Sequence, residues 1–101
     1  MEEIGMSVKP IKLENKLSVK GQDVTSVTLD FSQLTGRDLI KAEAEARADG
    51  EVTPMLTFSL KYQASLAARM IGITYDEMMG MNAVDFSKIT NKVLNFLTKQ
   101  G

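Results

Sequence analysis

The residues able to do chemistry in this chain are few, because it holds neither histidine nor cysteine. That removes the commonest general base, the commonest metal ligand and all thiolate chemistry. Ser59 and Ser65 remain as hydroxyls, with no imidazole to activate them and only a lysine as a formal partner. Glu43 and Glu45 lie two apart in a helical stretch, so they point to different sides and cannot share a proton. Asp76-Glu77 and Asp85 follow Thr74 and Asn82, where acids belong as caps or first-turn partners of the helix dipole. The glycines are scattered at structure breaks, and none form a phosphate-cradling cluster. No catalytic residue, cofactor-binding residue or metal ligand is expected, and the chain reads as a non-enzyme.

Methionine is the one residue type with a suggestive local density. Met70, Met78, Met79 and Met81 fall close together, and flexible thioethers suit either irregular core gaps or adaptable binding surfaces. The two readings differ in exposure.

The elements that must position these residues follow from periodicity. The stretch 53–72 is taken as a central helix of about 53–71, started by Thr53 and Pro54 and stopped by Gly72. On a helical projection Leu56, Leu60, Gln63, Ala67, Met70 and Ile71 share one side; Met55, Phe58, Tyr62 and Leu66 make a second stripe beside it. A helix apolar on more than one face must be contacted from more than one side, so the other elements should pack around it.

Residues 1–10 read as a flexible arm. From Ile11 apolar and polar residues alternate through Val19, with an interruption at Asn15, which predicts a half-buried strand. Gly21-Gln22-Asp23 supplies turn chemistry, and Val24 to Phe31 is rich in β-branched residues, so 11–31 reads as a hairpin. Thr35 to Asp38 has the form of a capping box for a helix over 37–48. Thr74 to Glu77 caps a short helix over 75–79. Asn82 to Asp85 is expected to cap a last helix over 83–99 in the same way, with Phe86, Ile89, Val93, Phe96 and Leu97 on one face.

The whole is an α+β domain over 11–101: an N-terminal β-hairpin followed by three to four helices packed around the central one. With 101 residues, 44% hydrophobic and 25% charged, one globular domain is expected. A net charge of −1 offers no general attraction to nucleic acid or anionic lipid, so neither nucleic acid nor membrane is an expected partner. Neither a signal peptide nor a membrane span is visible, which points to a soluble, cytoplasmic protein.

This order of elements resembles the tail assembly chaperones of long-tailed bacteriophages, most closely those of Mu-like and related contractile-tail phages. The matching positions are Leu13 and Gly21 in the hairpin, then Thr28-Leu29, Asp38-Leu39 and Ala42-Glu43. They continue through Gly72-Ile73, Glu77-Met78, Met81, Asp85-Phe86, Val93 and Phe96-Leu97, covering about 11–97. Members often carry proline near the places held here by Lys16 and Leu34. The resemblance implies a non-catalytic partner-binding role in virion morphogenesis. The tape measure protein, and in many cases the tail tube protein, would be bound in the cytoplasm of the bacterial host, with the chaperone absent from the mature virion. It also implies possible self-association, and a longer frameshifted form beside the product ending at Gly101. Met78, Met79, Met81, Phe86 and Phe96 are the candidate partner-binding residues. A structural virion tail protein and a small nucleic-acid-binding regulator are the alternatives.

Overall fold

The chain's backbone chemistry is resolved element by element in a computed structural model that describes residues 9–99. The fold is α+β, with the hairpin first and four helices after it. The expected arm over 1–10 lies outside the described residues except for Lys9 and Pro10.

Strands β1 (Ile11–Val19) and β2 (Gln22–Val27) pair antiparallel. The turn between them is the two-residue Lys20-Gly21, not the expected Gly21-Gln22-Asp23. Both residues have positive φ, 52° and 82°, as the tight turn that matches strand twist requires. Gln22 and Asp23 therefore enter β2. The register runs Val19↔Gln22, Ser18↔Asp23, Leu17↔Val24, then jumps to Lys12↔Ser26 and Ile11↔Val27. Residues 13–16 thus stand against Thr25 alone, an irregular bulge of several residues that takes in the interruption expected at Asn15. The hairpin also stops short of Phe31. Strand pairing ends at Val27, and the Asp30 carboxylate accepts from Ser32 N to start a 3-10 turn over Phe31–Gln33.

Helix α1 (Gly36–Ala48) opens with the expected capping box, Thr35 and Asp38 each serving the other's backbone amide. Helix α2 (Leu60–Ile71) begins six residues later than Thr53 as its cap would place it. Thr53 Oγ1 accepts only from Met55 N, two residues on. Leu56–Phe58 forms a separate 3-10 turn, and Ser59, in extended conformation, caps α2 by accepting from Tyr62 N. Gly72 closes it at φ 94°, a conformation in which a side chain would be strained. Helices α3 (Tyr75–Met79) and α4 (Ala83–Thr98) complete the chain.

The central role expected for this helix holds. Every residue from Tyr62 to Ala68 is buried, because α1, α3 and α4 all pack on α2. Alanines 42, 46, 64, 67 and 68 have almost no exposed surface, and such small side chains let helix axes approach closely. Leu66, Met78, Ile89 and Val93 are fully enclosed at the centre. The hairpin lays Ile11, Val27 and Leu29 on this core. Among the described residues no helix is long and apolar enough to cross a membrane.

Candidate protein-binding surface

The late start of α2 leaves residues 49–59 as a connection, and its side chains divide sharply between inside and outside. The polar groups turn inward. Glu51 Oε1 accepts from Ser59 Oγ at 2.5 Å and Glu51 Oε2 from Thr53 N at 3.2 Å. These donors, Ser59 first, hold the Glu51 carboxyl below the usual carboxylate range against a smaller opposing effect of burial. Arg47 Nη1 donates to Thr53 O at 2.6 Å and Glu51 O at 3.3 Å, which pins the segment to the end of α1. From α2, Gln63 Nε2 donates to Thr57 O and Lys61 Nζ to Asp49 O, both at 2.7 Å.

Leu56 packs against the core, but the other large apolar groups turn outward. Val52 is 87% exposed, Met55 60%, Phe58 62% and Leu60 58%. An open depression of about 400 Å³ lies among Met55, Phe58 and Leu60, with Glu51 and Lys61 also in its walls. Four large apolar side chains exposed within nine residues, on a backbone tied down by the side chains of Arg47, Glu51, Lys61 and Gln63, form a fixed platform rather than a loose loop. Met55, Phe58 and Leu60 share the wall of one depression, and contiguous exposed apolar surface marks interaction sites on proteins.

The sequence-based candidates do not assemble into such a surface. Met78 is wholly buried in the core, so its assignment as a partner-binding residue is corrected: α3 packs on α2 and encloses it. Met81 and Phe86 are half-buried against the core. Phe96 is stacked on Phe31 with ring centroids 4.4 Å apart and planes 9° from parallel. Of the five, Met79 alone is largely open, at 40%. The real platform escaped sequence reading because Met55, Phe58 and Leu60 fit the stripes of a helix beginning at Thr53. Glu51, eight residues before Ser59, was the available hint: an acid spaced to tie a competing cap.

Most of the hydroxyls and acids weighed for chemistry are engaged structurally, and Asp76 lies in the first turn of α3. Ser65 Oγ donates to Glu45 Oε1 at 2.6 Å, and Thr74 and Glu77 make their capping box. Tyr75 OH donates to Asp49 Oδ2 at 2.7 Å; burial, then that carboxylate, pushes the phenol well above its ordinary range.

Asp85 is 1% exposed and does not return to the Asn82 amide as a capping box would. Its Oδ1 accepts from Glu14 N at 2.7 Å. Its Oδ2 accepts from Asn15 N at 3.1 Å and Asn82 Nδ2 at 2.7 Å. Among the described residues, no group of three or more His, Cys, Asp or Glu side chains is placed to hold a metal ion.

Comparison with protein families, curated proteins and solved structures finds no match to this chain.

Proposed function

We propose that this protein is a non-catalytic assembly chaperone that holds a protein client on the apolar platform formed by Val52, Met55, Phe58 and Leu60. The observation carrying this reading is the platform itself: apolar side chains exposed on a backbone already fixed by Arg47, Glu51, Lys61 and Gln63. Pre-ordering matters because a loop that needs no further ordering loses less conformational entropy on binding. The depression is open to solvent along apolar walls, so a helical segment laid into it suits it. The resemblance to tail assembly chaperones makes the tape measure protein of a long-tailed phage the leading client, with the tail tube protein a second one. The site of action is then the host cytoplasm before tails are complete.

The test is to tag the protein in its phage or prophage, induce, and identify what co-purifies before lysis. A long helical tape measure protein in the eluate, lost with Phe58→Ser and Leu60→Ser and accompanied by tag-free virions, is the expected result. Stoichiometric tag in purified virions would make it a structural tail protein and overturn the chaperone reading.

A further inference from the structure

Helix α1 is closed by Asp49-Gly50, and that dipeptide carries a reaction of its own. An aspartate side-chain carbon can be attacked by the amide nitrogen of the next residue. Glycine shields that nitrogen least, because it has no side chain. Asp49 alone among the aspartates precedes glycine; the others precede Val24, Phe31, Leu39, Glu77 or Phe86. Asp49 and Gly50 are both exposed, so water reaches the link.

Native contacts oppose the attack at three points. Gly50 N–H donates to Arg47 O and Glu51 N–H to Ala46 O, each at 3.0 Å, which is the paired closure of a helix whose next residue is left-handed. Gly50 takes that conformation at φ 95°, so its nitrogen is already committed to α1. Asp49 stands at ψ 17°, whereas ring closure needs its Cα–Cβ bond to eclipse the bond to Gly50 N. Finally, Tyr75 OH donates to Asp49 Oδ2 at 2.7 Å. This anchors the carboxyl to α3 and resists the rotation that would carry Cγ to Gly50 N.

We propose that Asp49-Gly50 is a site of spontaneous aspartate isomerisation, held closed by the end of α1 and by the Tyr75 hydroxyl. In the reaction Gly50 N bonds to Asp49 Cγ and a Cγ–Oδ bond breaks. The oxygen leaves as water, taking the amide proton and one proton from solvent. Water then adds to the main-chain carbonyl carbon of Asp49 and breaks its bond to Gly50 N. The chain now runs through the side chain, with one more backbone methylene and a free α-carboxylate. That methylene falls between α1 and the two amides that close it, so the product cannot keep both bonds in register. This site does not depend on what the platform binds.

The test is to keep the folded full chain at neutral pH for weeks and count isoaspartate at position 49 by electron-transfer mass spectrometry. Wild type should isomerise more slowly than a free peptide of residues 46–53. Tyr75→Phe removes only the hydroxyl and should speed the reaction about five-fold, the factor that one lost hydrogen bond corresponds to. Thr74→Ala weakens the capping box of the helix that carries Tyr75 and should speed it as well. Val93→Ala lowers stability from α4, where Val93 is enclosed, and should stay near the wild-type rate. Circular dichroism confirms folding, and if one α3 variant fails to fold the other decides. Wild type as fast as the peptide, or α3 variants no faster than wild type, would overturn the proposal. Equal acceleration in Val93→Ala would overturn the part given to Tyr75, because the reaction would then track unfolding of the whole chain.

Discussion

Asp85 is the residue on which the two halves of the fold meet. Its carboxylate fills the bulge of β1 from the first turn of α4, across 70 and 71 residues of chain. Burial pushes this carboxyl up. The amides of Glu14 and Asn15, the Asn82 side chain and the Lys88 charge outweigh that effect and hold it below its ordinary value. Asp85→Asn keeps the shape but turns an amide donor towards backbone donors, leaving at least one buried N–H without an acceptor. The expected result is a melting temperature lowered by roughly 10 °C at pH 7. The sign of the pH dependence follows from the depressed folded pKa. The contribution of Asp85 is present above the unfolded value of about 4 and is lost as pH falls through the lower folded value. The gap between wild type and Asp85→Asn should therefore be constant from pH 7 to 5 and close below about pH 4. Thermal melts across that range check it; a gap that persists unchanged at pH 2 would reject this role.

At the scale of elements, legibility tracked how local the determining contacts are. The boxes at Thr35–Asp38 and Thr74–Glu77 were readable because donor and acceptor lie three residues apart. Thr53-Pro54 carried the same local signal for α2 and was overruled from outside the segment. Arg47 captures Thr53 O, and Glu51 binds Ser59, the residue that does cap the helix. Ser59→Ala should cost about 1–2 kcal/mol in urea denaturation, whereas Thr53→Ala should cost under about 0.5 kcal/mol. Equal losses would restore the earlier helix start.

The closing turn of α2 gives a second check. Gly72→Ala would force a side chain into φ 94°, with its Cβ 3.3 Å from Lys20 Cε. A loss of about 1–2 kcal/mol is expected by the same measurement. The exposure of a methionine was not readable at all, since a five-residue helix buries whichever side its neighbours happen to cover. Met78 and Met79 are adjacent, and one is enclosed while the other is open.

For the whole molecule, the separation of core from platform lets stability and binding be altered independently. Met78→Ala should cost about 2–4 kcal/mol of stability, because it empties volume under α3. Phe58→Ser should change stability by less than about 0.5 kcal/mol, since its ring is mostly in water already. If Phe58 carries client binding, the second variant folds normally and binds poorly, and the first binds normally wherever it remains folded. Ionic strength then separates the leading reading from the nucleic-acid one. A platform of Val52, Met55, Phe58 and Leu60 on a chain of net charge −1 buries apolar area, and such contacts do not release counterions. Its affinity for a purified client helix should change less than about three-fold between 50 and 500 mM salt. A protein that gripped phosphates would lose about a thousand-fold or more between 50 and 200 mM. Titrating a labelled client helix and a labelled duplex in parallel across the salt series measures both. Salt-insensitive helix binding that disappears in Phe58→Ser supports the chaperone; tight, steeply salt-dependent duplex binding that survives Phe58→Ser would replace it with a nucleic-acid regulator.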